Sequence, residues 1–151
     1  MGANLSQRSR DRLATCHPDI IAVIMEVERV SPLDFTVLQG HRTPEEQFNL
    51  FKQGRRLVGG SWIVEDKTQV VTYIDGFDKV GQHNFTPSRA VDLAPYPIDW
   101  MDKARFFYLA GIVLGVAGRM NIPLTWGGDW DGDGDFKDHG FTDLPHFELK
   151  P

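Results

Sequence analysis

One cysteine, Cys16, stands alone in a chain of 151 residues. That excludes an intramolecular disulfide framework, a thiolate zinc site and a Cys-x-x-Cys redox pair together, so any metal must be held by nitrogen and oxygen. Basic residues are also scarce: 16 Lys and Arg against 21 Asp and Glu leave a net charge of −5. The chain lacks the positive surface that neutralising a phosphate backbone requires, and no nucleic-acid partner is expected. Long hydrophobic runs are missing as well. The longest, Phe106 to Gly118, is bounded by Arg105 and Arg119 and falls short of the ~18 residues that suggest a membrane span, so no membrane insertion is expected. The polar segment MGANLSQRSRDR has no apolar stretch of the kind a secretory signal needs, so synthesis is expected to end in the cytoplasm without a signal peptide. What is present, 41% hydrophobic and 25% charged residues, is the balance of a globular domain. A single domain over residues 1–151, monomeric, is the expectation.

Periodicity gives the elements. Leu13 to Val30 reads as helical with a break at Pro18, and Ile20, Ile21, Ile24, Val27 and Val30 recur on one face. Asp34 to Gln39 is a β-type run. Thr43-Pro44-Glu45-Glu46 combines an N-cap, a Pro at the first helical position and a Glu at the third, so a helix starts there and runs to about Gln53, before Gly54. No helical period appears from Arg55 to Gln82; Gly59-Gly60 marks a turn, and Thr68 to Ile74 reads as a strand within an excursion from the core. Ala90 to Ala94 is a strand, Asp99 is placed to cap a helix from Trp100 to Met120, and Gly111 and Gly115 read as a close helix-packing stripe. Ile122 to Trp126 and His146 to Leu149 are two further short strands. The order implies an α+β fold, a small antiparallel sheet with flanking helices, and not a repeated βαβ unit.

Strand alternation sorts the polar residues. In Ala90-Val91-Asp92-Leu93-Ala94, Val91 and Leu93 share one face and Asp92 points from the other between small neighbours. In His146-Phe147-Glu148-Leu149 the same rule buries Phe147 and Leu149 and leaves His146 and Glu148 opposite. His83 lies in a turn-rich segment leading into the Asp92 strand. Two His and one carboxylate with a position left for water form a recurrent ligand set of catalytic zinc. His17, His41 and His139 remain as other histidines; His17 at a helix boundary and His139 beside Asp138 and Gly140 read as exposed. His-x-Glu also occurs in zinc deaminases, but those need a downstream Cys pair that this chain lacks.

Four blocks taken in order resemble the zinc D-alanyl-D-alanine peptidases and their phage relatives, the L-alanyl-D-glutamate endopeptidases that serve as endolysins. They are Gln39-Gly-His-Arg-Thr-Pro-Glu-Glu-Gln47, His83 with Ser88-Arg-Ala-Val-Asp92, Trp126-Gly-Gly-Asp-Trp130, and Asp143-Leu-Pro-His-Phe-Glu148. The resemblance implies zinc on His83, Asp92 and His146, on the sheet face, with Asp143 as catalytic base. It also implies that Arg42 polarises or anchors substrate. Gln47 matches its block and is a substrate-contact candidate, with a place on a solvated helix face as the alternative. Two positions depart from the family's pattern: Gly81 stands two residues before His83, and Pro87-Ser88 lie within a longer His-to-Asp interval. From the residues alone, Glu148 competes with Asp143 as base or orients a ligand, and Arg42 could instead pair with Glu45 or Glu46. Trp126, Trp130 and Phe141 read as core or cleft wall.

Asp129, Asp131 and Asp133, with Gly134 next, match the first half of a calcium loop, whereas its twelfth position is Gly140 and not a bidentate Glu. Calcium or a solvated acidic turn both fit. The expected function is therefore a zinc-dependent peptidoglycan peptidase acting on the stem peptide at the L-alanyl-D-glutamate bond, reaching the bacterial wall after release, without a separate wall-binding domain. A D-alanyl-D-alanine carboxypeptidase and a non-catalytic, calcium-stabilised wall-binding module are the alternatives.

Overall fold

The computed structural model describes residues 2–151. Its centre is a four-stranded antiparallel sheet in the order β1-β4-β6-β5, from β1 (Phe35–Gln39), β4 (Ala90–Pro95), β5 (Leu124–Trp126) and β6 (His146–Leu149). One face is apolar. Val37, Val91, Leu93, Phe147 and Leu149 project from it into a core completed by helix α2 (Pro18–Val30) and helix α4 (Lys103–Arg119). α2 supplies Ile20, Val23, Ile24 and Val27, and α4 supplies Phe106, Leu109, Ala110, Val113 and Ala117, each set at helical spacing. Burying a Val, Leu or Ile side chain contributes roughly 1.5–3 kcal/mol, so this face fixes which way every strand is turned. The opposite face is left to Asp92, His146 and Glu148.

A polar helix, α1 (Gln7–Leu13), protects the sheet edge. Ser6 caps it by accepting from the Ser9 amide at 3.2 Å, and Arg10 ties it to Glu28 of α2 at 2.7 Å. Its side chains then take the free hydrogen-bonding groups of β1: Ser9 Oγ accepts from the Val37 amide at 3.0 Å, and Arg12 donates to the Val37 carbonyl at 3.0 Å. An unpaired edge would otherwise be open to strand addition.

Helix α3 (Pro44–Phe51) begins with the reciprocal capping box expected from Thr43 and Glu46. The excursion after it holds a two-stranded hairpin, β2 (Arg55–Val58) and β3 (Ser61–Val64), closed by Gly59 and Gly60, both with positive φ as a tight hairpin turn demands. Three expectations are corrected. Thr68–Ile74 is not a strand: Asp66 caps a 3₁₀ turn at Lys67–Gln69, and the backbone beyond it bonds to side chains. Arg55 donates to the Thr72 carbonyl and Gln47 to the Ile74 carbonyl, both at 2.9 Å. α4 starts at Lys103 because Asp99 closes a turn onto the Met101 amide at 3.0 Å instead of capping a helix. Gly111 and Gly115 face outward, where an added Cβ would meet nothing within 4 Å. No helix among the described residues is long and apolar enough to cross a membrane.

Ser9 is 1% exposed. Ser9→Ala should leave the Val37 amide without its partner and lower stability by about 1–3 kcal/mol, read as a shift in the urea midpoint at unchanged slope.

Candidate metal centre and active-site cleft

Antiparallel register sets Asp92 of β4 directly opposite His146 of β6. His83 comes from the 3₁₀ turn Gln82–Asn84, which is anchored to the β1–α3 connection. The Arg42 amide donates to the His83 carbonyl at 2.9 Å, and Asn84 Nδ2 donates to the Arg42 carbonyl at 2.9 Å. The three side chains converge: Asp92 Oδ1 lies 3.3 Å from His83 Nε2 and 3.2 Å from His146 Nδ1. One donor atom from each falls within 4.8 Å of the others. Both rings are buried, at 6% and 8% exposure.

The remaining ring nitrogens decide what this cluster can hold. His83 Nδ1 meets the Gly40 carbonyl at 2.7 Å, and a carbonyl only accepts, so Nδ1 carries the proton and Nε2 turns a lone pair toward Asp92. His146 Nε2 meets Glu148 Oε1 at 2.7 Å, which leaves Nδ1 to face the same carboxylate. Two imidazole nitrogens and an anion pointing at one place are held together by a cation or by shared protons there. Metal-bound histidines are characteristically oriented by a carbonyl or carboxylate on the second nitrogen, and this donor set of two nitrogens and one oxygen fits zinc.

With no metal, protons serve instead. Burial pushes the His146 pKa down, but its hydrogen bonds to Asp92 and Glu148 outweigh this and lift it to about 9. For Asp92, burial favours the neutral acid, yet hydrogen bonds from His146 and His83 prevail and hold the carboxyl well below the usual range.

The cluster lines a cleft of about 530 Å³ that also takes in Arg42, Gln47, Trp130, Phe141 and Asp143. Arg42 directs Nη2 toward Asp92 Oδ2 at 3.8 Å and donates from Nη1 to Gln47 Oε1 at 2.9 Å. Its ion-pair partner is thus the metal-site carboxylate, and not Glu45 or Glu46. Gln47 is 3% exposed, and its amide is taken up by Arg42, Ile74 and Thr72. Asp143 has a raised pKa, first from burial and then from the Asp92 charge, against the opposing pull of His146, His83 and Arg42. Its backbone is seated on Gly127: the Asp143 amide donates to the Gly127 carbonyl at 2.7 Å, and a Cβ on Gly127 would sit 2.1 Å from the Asp143 carbonyl oxygen. Any larger residue there would displace Asp143.

The acidic loop differs from its expected form. Asp129 Oδ1 and Oδ2 accept from the Gly132 and Gly134 amides, and the potential cation clusters are Asp129–Asp131–His139 and Asp131–Asp133–Asp138. His139, expected at the surface, is turned inward with its side chain 12% exposed; Nε2 stands 3.2 Å from Asp138, 3.7 Å from Asp129 and 3.8 Å from Asp131. Sequence reasoning missed it because the attraction comes from carboxylates up to ten residues away across an irregular loop.

The model of the phage L-alanyl-D-glutamate peptidases matches residues 1–150. The chain belongs to this family. Among curated members, the L-alanyl-D-glutamate peptidase of Escherichia phage T5 is 28% identical over 155 residues, covering 99% of each chain. Among solved structures, the Serratia marcescens L-Ala D-Glu endopeptidase ChiX superposes with a TM-score of 0.65 at 24% identity, over 97% of this chain and 90% of that one. The second likeness establishes a shared fold. In this structure Arg42, His83, Asp92 and His146 meet in one cleft.

Glu148 is the side chain that fixes the His146 ring. Glu148→Ala should weaken zinc affinity about 10–100-fold with the fold intact, measured by competition against a chromophoric chelator.

Proposed function

We propose that this protein is a zinc-dependent peptidoglycan peptidase that hydrolyses the L-alanyl-D-glutamate bond of the stem peptide. The observation that carries the reading is the convergence of His83 Nε2, Asp92 Oδ1 and His146 Nδ1 within one cleft of a chain matched along its length by the family. These three residues would hold zinc. When bound, zinc supplies a Lewis acid that polarises a carbonyl and lowers the pKa of water to roughly 7.

The chain's own residues supply the proton transfers and the positioning. Asp143 accepts the proton of the attacking water as its oxygen bonds to the alanyl carbonyl carbon, and returns that proton to the glutamate nitrogen as the C–N bond breaks. Burial suits it to the task, since a carboxyl whose pKa is raised is a stronger base than an ordinary aspartate. Arg42, held by Gln47 and poised beside Asp92, binds a substrate carboxylate or the developing oxyanion. Gln47 acts through Arg42 in this scheme. The wall lies outside the cytoplasm, so action follows release of the protein.

Products decide the reaction. Mass spectrometry of digested, purified peptidoglycan should find new N-terminal D-glutamate; free D-alanine would point to a carboxypeptidase, and no product to a binding module. Asp143→Asn should keep about one zinc per chain and lower turnover by roughly two to four orders of magnitude, checked by metal analysis beside steady-state rates.

A second ion, calcium, is proposed on Asp129, Asp131 and Asp133, the first, third and fifth positions of the loop pattern, although the structure groups Asp129 and Asp131 with His139, and Asp131 and Asp133 with Asp138. The loop's carboxylates repel one another unless a cation screens them, and the loop leads directly into Asp143. At constant zinc, added calcium should raise both thermal stability and activity in the wild type, and not in Asp131→Ala with Asp133→Ala. A flat wild-type response would leave only a solvated acidic turn.

A further inference from the structure

The two ends of the cleft differ in chemistry, and the sheet order says which end is which. Asp92 and His146 lie on the two central strands, β4 and β6. Arg42 arrives from the connection after β1, at one edge. Trp130 and Phe141 arrive from the connection between β5 and β6, at the other. One end therefore carries a guanidinium and the other a pair of aromatic rings.

Those rings form a built surface. Trp130 and Phe141 stack at 17° with centroids 6.4 Å apart, and Trp130 packs against the His146 ring at 5.6 Å. Trp130 Nε1 donates to the Phe141 carbonyl at 2.9 Å, which ties the polar edge of the indole to the Phe141 backbone and fixes the two residues to each other. Phe141 is 63% exposed although it lines the cleft. An apolar ring held open to solvent beside a reaction centre is unexplained by core packing. The adjoining loop is strongly acidic, with Asp129, Asp131, Asp133, Asp135 and Asp138, and repels an anionic ligand from this end.

The substrate is asymmetric in the matching sense. On the far side of the scissile bond, D-glutamate continues through its γ-carboxyl and keeps a free α-carboxylate, which suits Arg42. On the near side, the alanine nitrogen is acylated by the lactyl group of muramic acid, so a neutral pyranose stands one residue from the reacting carbonyl. A pyranose presents a face of C–H bonds whose hydrogens meet the negative face of an aromatic ring favourably.

We infer that Trp130 and Phe141 form a sugar subsite that binds the muramyl residue of the glycan strand, so that the stem peptide crosses the metal centre from β5 toward β1. The inference rests on the endopeptidase reading above, and extends it from the peptide to the glycan that bears it.

The test compares two synthetic substrates with the zinc enzyme: a muramyl-L-alanyl-γ-D-glutamyl peptide, and the same peptide with an acetyl group in place of the muramyl unit. The wild type should favour the first in kcat/KM. In Phe141→Ala the ratio of the two kcat/KM values should fall about fivefold to tenfold, the scale of one aromatic contact, chiefly through KM of the sugar-bearing substrate. Phe141→Tyr should restore it. Zinc content and Tm of each variant control for damage to the centre. A wild type that cuts both substrates equally well, or a Phe141→Ala protein that keeps the wild-type ratio, overturns the sugar subsite and leaves the peptidase reading standing. A wild type that cuts neither at the alanyl–glutamate bond removes that reading and this inference together.

Discussion

Asp92 Oδ1 faces nitrogen atoms of two imidazoles at 3.2 and 3.3 Å, and the rest of the molecule is arranged to keep it there. A half-buried carboxylate between two rings whose other nitrogens are already engaged by Gly40 and Glu148 is stable only with a cation or shared protons at the centre. Holding that geometry needs three separate pieces of chain in register. The β4–β6 pairing supplies Asp92 opposite His146, and the Arg42 backbone fastens the His83 turn. Slipping either strand by one residue would turn its ligand into the core and expose Val91 or Phe147 instead. The apolar face of the sheet is thus what orients the proposed metal ligands.

The same sheet distributes the other functions. Its β1 edge, closed by Ser9 and Arg12 of α1, leads into Arg42 and then into α3, whose Gln47 holds both Arg42 and the backbone of the excursion. Its β5 edge leads through Gly127 and the acidic loop back to Asp143. Seating Asp143 on a glycine brings a carboxylate against the cluster without a side chain between them. The price is electrostatic: burial, and then the Asp92 charge, raise the pKa of Asp143, while hydrogen bonds from His146 and His83 hold Asp92 charged.

Much of this was legible in the residues, where a local rule was strong. Period-two alternation alone puts Asp92 opposite Val91 and Leu93, and His146 and Glu148 opposite Phe147 and Leu149, as the sheet has them. Thr43 and Glu46 announce α3 by their capping chemistry. What escaped depends on partners distant in sequence. α1 is short and polar, and is held by bonds to β1 and α2; only Ser6 as an N-cap could have signalled it. The hairpin strands Arg55–Val58 and Ser61–Val64 are largely exposed on both faces, so no alternation marks them. Thr68–Ile74 has β-type residues, yet α3 and Arg55 take its carbonyls. His139 turned inward toward charges that no local pattern reveals.

The central claim is that His83, Asp92 and His146 form the zinc centre, each through a named atom. The most direct measurement is a crystal structure of the zinc-loaded protein with anomalous scattering recorded at the zinc edge. A single strong peak is predicted about 2.0–2.2 Å from His83 Nε2, an Asp92 carboxylate oxygen and His146 Nδ1, with Glu148 still on His146 Nε2. A zinc peak found only among Asp129, Asp131 and His139, or coordinated through the opposite nitrogen of either ring, would contradict it.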